Sequence, residues 1–451
     1  MTEQGVRWTA EQVLALAPDA ASRKAGSKLG AAGPWSGTGC AEGTVWGLCK
    51  GSGSRPYQTV VDLTGPAGPA YKCGCPSRKF PCKHALGLLL LWAGEDGLVP
   101  ASAQPPDWAG EWLGGRRDRA GTGRARAEGG PGGGPADPEA ARRRAERRAE
   151  RVTAGATELE QRLVDLLRGG LAAAEQAGYG LWDETAARMV DAQAPGLAAR
   201  VRELGAIPAS GAGWPARLLE ECALLHLLDQ GWLRRDRLPD ALAATVRSRL
   251  GLPASPEGPP VRDHWLVLAQ YDRVDPKLTT RRIWLHGAES GRTPLLLSYG
   301  AAGRAPELSF PVGLALDAEL TGYPGAGQSR AALGERFAAP APAGFRPPGV
   351  TTAEASARYG EALRDDPWLE SVPVTLGEVI PVPDGDRWQL ADAGTDTALP
   401  LTRAARSRPG LWRLVALSGG APVTVFGECG HHGFTPLTAW PEGPGEAVPL
   451  C

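Results

Sequence analysis

The sequence predicts an α+β multidomain protein. A small β-hairpin/helix module, a flexible linker, an all-helical domain and a β-rich C-terminal domain follow one another over 451 residues. Three observations carry this. Four Cys and His residues cluster within 73–84, between β-prone runs and an apolar helix. A Gly- and Arg-rich stretch, 105–137, has no apolar period. Near residue 258 the hydrophobic pattern changes from helical spacing to β-rich runs broken by Gly, Pro and Ser. The expected domains are 1–104, 105–137, 138–258 and 259–451.

Each element has a local reason. Thr9 can cap a short helix, with Gln12 in capping-box position. A second helical stretch, Asp19–Leu29, carries Arg23, Lys24 and Lys28. The runs Thr44–Cys49 and Tyr57–Leu63, separated by the turn-rich GSGSRP, predict a hairpin. The Cys/His cluster follows, then the apolar helix that includes Leu86, Leu88, Leu91 and Trp92. In the linker, GGPGGGP is flexible and RRDRAGTGRARAE is polar and charged. From Pro138 a charged helix is expected, in which Arg142, Arg143, Arg144, Arg147 and Arg148 mix with Glu139, Glu146 and Glu150. It reads as a solvated face with i,i+4 pairs rather than a nucleic-acid helix. LEQRLVDLLRGGLAAA, ARLLEECALLHLLDQGWL and LPDALAATVRSRL space Leu, Val and Ala as helices do. DHWLVLAQYDRV, RRIWLHG, PLLLSYG, LWRLVAL and PVTVFGE read as strands, the last two as a hairpin across SGGA.

Charge and hydropathy exclude some classes. Net charge is −1, so no global field draws the protein to nucleic acid or membrane. Residues 1–106 nevertheless hold 10 Lys/Arg against 7 Asp/Glu, so an anionic partner should meet the N-terminal third. The 42 Arg against seven Lys point to a high-GC genome. The first twenty residues lack a basic segment followed by an apolar one. The longest apolar run, Ala85–Ala93, is about half the ~18 residues a membrane span needs. The expectation is a cytoplasmic protein with no membrane partner, in which clustered cysteines signal metal rather than disulfides.

The cluster lies in YKCGCPSRKFPCKHALGLLLLW, with the pattern C-x-C-x6-C-x-H formed by Cys73, Cys75, Cys82 and His84. Two tight pairs of soft and imidazole ligands suit the four-coordinate tetrahedral shell of Zn²⁺. Gly74 is expected to allow a sharp bend between the first two cysteines. Pro81 suits the first position of a helix, which would place Cys82 and His84 in its first turn. Four protein ligands leave no position for water, so one structural zinc ion is expected rather than a catalytic one. Lys72, Arg78, Lys79 and Lys83 surround the ligands. They would offset the surplus negative charge of three thiolates or face phosphates.

A C-x-C-x(n)-C-x-H pattern after a hairpin and before a helix resembles the SWIM zinc finger family. The flanking WGLCKGSGSRPYQTVVDLTGP and CPSRKFPCKHALGLLLLW look most like its bacterial members. The likeness is close over roughly 40–95 and looser elsewhere. It implies a zinc fold that binds DNA or protein, with Cys73, Cys75, Cys82 and His84 as ligands, and it supplies no catalytic residue.

Other candidates read as structure. Cys222 and His226, four apart on a Leu-rich helix, read as core. Cys429, His431 and His432 read as a surface turn, and Asp365, Asp366 and Asp384 as solvated acids. The glycine run 129–134 is not followed by G-K-[ST], and no G-x-S-x-G or H-E-x-x-H occurs. No small-molecule substrate is evident. The expectation is a non-catalytic recognition protein whose partner is a protein or a nucleic acid. The alternative is an enzyme with an unrecognised site in the C-terminal domains.

Overall fold

The computed structural model describes residues 7–41, 43–51, 55–64, 69–77, 79–94, 98–101, 104–116, 138–275, 278–301, 306–325, 327, 329–441 and 446–451. It is a mixed α+β protein: an N-terminal sheet region with the Cys/His cluster, a helical domain, then a β-rich region.

The N-terminal module begins with α1 (Ala10–Leu14), whose capping box closes in both directions: Gln12 N donates to Thr9 Oγ1 at 3.2 Å and Thr9 N to Gln12 Oε1 at 2.9 Å. Asp19 caps α2 (Ala20–Ser27). The strands β1 (Trp35–Ala41), β2 (Thr44–Cys49), β3 (Tyr57–Asp62) and β4 (Ala70–Cys73) form an antiparallel sheet in sequence order. The expected hairpin is therefore the central pair of four strands. Successive side chains point to opposite faces of a strand. Val45 and Val61 pack under α3 (Lys83–Ala93), against Leu86, Leu88 and Leu89, while Trp46 and Val60 face the other way. α2 lies against α3 so closely that a Cβ on Gly26 would sit 2.7 Å from that of Leu86.

The second face of the sheet corrects the expected linker. Residues 107–116 form a helix, α4, which places Ala109 and the indoles of Trp108 and Trp112 on Trp46 and Val60. Arg116 Nε reaches Asp62 Oδ2 at 3.3 Å. The first part of 105–137 thus belongs to the folded module, because its apolar pairs cover a sheet face that would otherwise meet water. The remainder, 117–137, including the Gly run, lies outside the described residues.

Five helices follow: α5 (Pro138–Gly169), α6 (Ala172–Asp191), α7 (Pro195–Leu204), α8 (Trp214–Leu233) and α9 (Asp240–Arg249). Leu159, Met189, Leu197, Val201, Leu225, Leu228 and Trp232 fill their common core. The Arg-rich start of α5 is exposed and carries the i,i+4 pairs Arg142–Glu146 and Arg143–Glu139.

The C-terminal region contains two sheets. In the first, β5 (Val261–Val274) pairs with β6 (Leu278–Gly287), and β6 with β7 (Leu295–Ala301). β7 pairs in parallel with β9 (Arg330–Arg336), and β9 with β8 (Leu314–Gly322), which returns to β5. The circuit closes a five-stranded barrel around Trp265, Val267, Ile283, Leu285, Leu296 and Leu316, and β10 (Ala341–Pro342) adds to its β8 side. Next come α10 (Thr352–Asp365), β11 (Ser371–Asp384), β12 (Arg387–Asp392), β13 (Ala398–Pro400), α11 (Arg403–Arg406) and α12 (Gly410–Ser418). The chain ends in β14 (Val423–Gly430), β15 (Gly433–Trp440) and β16 (Val448–Pro449). The second sheet has the order β13-β12-β11-β14-β15-β16. One of its faces packs on Ala355, Leu411 and Leu414 of α10 and α12; the other presents Phe426, Leu437 and Trp440 to Trp284 and Leu268 of the barrel.

Two expectations fail here. LWRLVAL is not a strand but α12, since Leu411, Leu414 and Ser418 form one buried helical stripe and Gly419 ends it at φ +52°. β14 turns instead into β15. Asp366 is not solvated: it is buried and ion-paired with Arg249, whose Nε lies 3.2 Å from both carboxylate oxygens. That pair docks the helical domain onto the β-rich region, together with Trp368, which enters the helical core and donates from Nε1 to Leu224 O at 2.8 Å. The module also rests on the barrel region: Trp8 Nε1 donates to Pro340 O at 3.0 Å, and Leu314 joins the module's core.

Candidate metal centre

β-pairing brings the first ligand into place. Thr59 of β3 lies opposite Cys73 at the end of β4, and its Oγ1 is 3.3 Å from Cys73 Sγ. The chain then turns through Gly74, which has no left-handed φ; a Cβ placed there would meet nothing nearer than Gln58 N, at 4.0 Å. Glycine is therefore not required there, contrary to the sequence expectation. A cis Phe80–Pro81 peptide leads to Cys82, the N-cap of α3, so Pro81 sits outside the helix rather than at its first position. Cys82 has extended backbone and its side chain makes no capping bond, which leaves the sulfur turned to the cluster. His84, in the first turn, is 5% exposed and packs against the Tyr57 ring at 4.9 Å.

The four ligand atoms all lie within 4.8 Å of one another, and Cys73 Sγ is 3.6 Å from His84 Nδ1. Tetrahedral zinc bonds of about 2.3 Å to sulfur and 2.0–2.1 Å to nitrogen require an S···N separation of about 3.5 Å. The observed spacing fits. All three cysteines are free thiols. The hydrogen bond from Cys82, with those from His84 and Thr59, holds the Cys73 thiol far below its ordinary value, while the same bond and burial push Cys82 up, and burial raises Cys75. Three thiolates this close need a cation among them, and a coordinated thiol ionises outright. The cluster is suited to hold one zinc ion. With Cys73, Cys75, Cys82 and His84 as ligands, such an ion would cross-link β4, the following loop and α3.

The basic residues named from the sequence are not equivalent. Lys72 on β4 and Lys83 at the start of α3 are exposed. Lys79 is exposed but paired, its Nζ 2.6 Å from Asp19 Oδ2, and this bond holds the Asp19 carboxyl down at about 2. Arg78 lies outside the described residues. Sequence reasoning misses Lys50 and Arg55, which are exposed at either end of the β2–β3 turn. They join the same end of the sheet because Cys49 pairs with Tyr57, the ring that covers His84.

Elsewhere, no second set of three or more ligands gathers among the described residues. Cys222 is buried, whereas His226 turns outward to Glu160, with Nδ1 to Oε2 at 2.8 Å. Cys429 is core, and His431 and His432 lie at the β14–β15 turn, where His431 Nδ1 meets Tyr359 OH at 3.0 Å. No described helix is long and apolar enough to cross a membrane.

Comparison with known families agrees with this geometry. Residues 57–93 match the model of the SWIM zinc finger, and residues 147–250 match that of the SWIM-associated four-helix bundle domain. The first span runs from β3 to the end of α3 and includes all four ligands; the second runs from within α5 to the end of α9. Together they are consistent with a SWIM zinc finger protein. No curated protein and no solved structure matches the chain.

Proposed function

We propose that this chain is a non-catalytic recognition protein whose zinc finger contacts the phosphates of a nucleic acid. The supporting observation is the position of Lys83. It stands at the first residue of α3, where the helix dipole disfavours a cation, and it stays exposed beside the ligands. Lys72, Lys50 and Arg55 are exposed on neighbouring elements, and Phe80, 49% exposed, offers an apolar surface between the ligand pairs. Such a patch fits sequence-independent phosphate contact, with affinity on the order of 10⁻⁴–10⁻⁶ M at physiological salt. Four protein ligands complete the shell of the metal, so the zinc has a structural role.

The test is fluorescence anisotropy with duplex and single-stranded DNA and with RNA at two salt concentrations. Lys72→Glu with Lys83→Glu should abolish binding while zinc content stays the same. Each lost contact should reduce the salt slope by about one unit. Wild-type protein that binds none of the three at low salt would defeat the nucleic-acid reading and leave a protein partner.

A further inference from the structure

We propose that the cleft where the zinc module meets the two C-terminal sheets binds a small organic anion with a planar apolar body. This site is separate from the finger surface and does not depend on the function proposed above. The cleft has a volume of about 780 Å³. Small-molecule sites typically enclose about 300–1,000 Å³, with mostly apolar walls and a few placed polar groups.

Its composition sets the ligand class. Arg7, Arg23, Arg346 and Arg413 line it, against the acidic side chains of Glu11 and Glu446. None of the four arginines forms an ion pair among the described residues. Arg7 is held by carbonyls, donating to Trp92 O, Gly94 O and Val99 O at 3.0–3.3 Å. Arg346 and Arg413 each give one Nη1 hydrogen bond to a carbonyl, of Pro441 and Pro449, and their other N–H groups make no hydrogen bond among the described residues. Arg23 makes no side-chain bond among the described residues. Guanidinium groups that outnumber the carboxylates around a cleft favour an oxyanion, which they can bind in pairs of parallel hydrogen bonds. Val312, Pro342, Ala343 and Phe345, all half-buried, form apolar wall, which a bare inorganic ion would leave uncovered.

The site is also a junction. Arg7 and Arg23 belong to the zinc module, Arg346 follows β10, and Arg413 belongs to α12. A ligand touching all of them would bind the docked arrangement more tightly than separated parts and so stabilise it.

The test uses full-length, zinc-loaded protein and 8-anilinonaphthalene-1-sulfonate, which carries both an aromatic body and a fixed anion. Its fluorescence should saturate at one site per chain with Kd between ~1 μM and ~1 mM. Arg346→Gln with Arg413→Gln should weaken binding about tenfold or more, as loss of charge-assisted hydrogen bonds does. Arg142→Gln with Arg143→Gln, the same charge change on the exposed start of α5, should leave it unaltered. N-phenyl-1-naphthylamine, the body without the anion, should bind about tenfold more weakly, and inorganic phosphate should compete poorly. Zinc content and far-ultraviolet circular dichroism verify that the variants fold; if the double change unfolds the chain, each single change is tested. Non-saturable fluorescence, equal affinity in the Arg346/Arg413 variants, or equal affinity for the uncharged body would each overturn the proposal.

Discussion

Asp229 offers a test of the helical domain that reaches its interior. The side chain lies on α8, fully buried, and neither carboxylate oxygen has a hydrogen-bond partner. Burial, with the nearby charge of Glu160 second, pushes its pKa up from 3.8 to about 9. The folded protein therefore keeps a proton that the unfolded chain gives up above about pH 4. Stability from this group is full below the unfolded value and is lost as pH rises toward 9. The slope is about 1.4 kcal/mol per pH unit, so going from pH 6 to pH 8 should cost about 3 kcal/mol. Asp229→Asn, similar in shape but unable to ionise, should remove that slope. The stability difference between the variant and the wild type should then widen by about 3 kcal/mol over the same range. Hydrogen exchange on peptides covering α8, corrected for intrinsic rates, reports this locally in a multidomain chain whose global unfolding need not be two-state. A widening below about 0.5 kcal/mol would show that Asp229 titrates as an ordinary carboxyl, and the dry, unpartnered environment would be refuted.

Three further outcomes are expected. Cys82→Ser should release the metal and unfold residues 57–93, since zinc binding in such sites contributes on the order of 10 kcal/mol to folding; elemental analysis should fall from about one zinc per chain to none. Zinc retention should fall as pH is lowered, because protons compete for the thiolates and for His84; a chelating dye should capture the metal faster at pH 5 than at pH 8, and equal rates would argue against thiolate ligation. Trp368→Ala should cost about 3–5 kcal/mol by emptying a place in the helical core and removing the bond to Leu224 O, seen as faster exchange in α8 with zinc content unaltered.

What the sequence disclosed depended on range. The four ligands were legible because metal chemistry fixes residue type and spacing within a dozen residues, and the Thr9–Gln12 box because capping is a contact between neighbours. The helical domain was legible from its period. α4 was missed although Trp108, Ala109, Trp112 and Leu113 have helical spacing, because ten residues ahead of a Gly/Arg stretch carry little signal without the sheet they cover. α12 was misread because Leu, Trp and Val suit a strand equally well, and only packing against β11 and β15 decides. Barrel closure rests on the parallel pairing of β7 with β9 across an intervening strand, which no local pattern encodes. The cleft draws on separated segments from Arg7 to Cys451, so its surplus of arginines is visible only after folding.

Asp229 lies between these cases, and its signal was present in the chain. Leu225, Asp229 and Trp232 follow at i, i+4 and i+7, so a helix through them puts the carboxyl on the same stripe as two buried apolar residues. Cys222 and His226 drew attention as a ligand pair at i, i+4, yet α8 turns one inward and the other out to Glu160. Spacing alone treats the two pairs alike. The face distinguishes them: Cys222, Leu225, Asp229 and Trp232 share the buried stripe, and His226 does not. A buried acid with no partner destabilises the fold once it ionises. Removing that group while keeping its shape should therefore strengthen the helical domain most at alkaline pH and least at acidic pH. Loss of a useful hydrogen bond would give the same weakening at every pH, so the pH dependence of the Asp229→Asn effect separates the two.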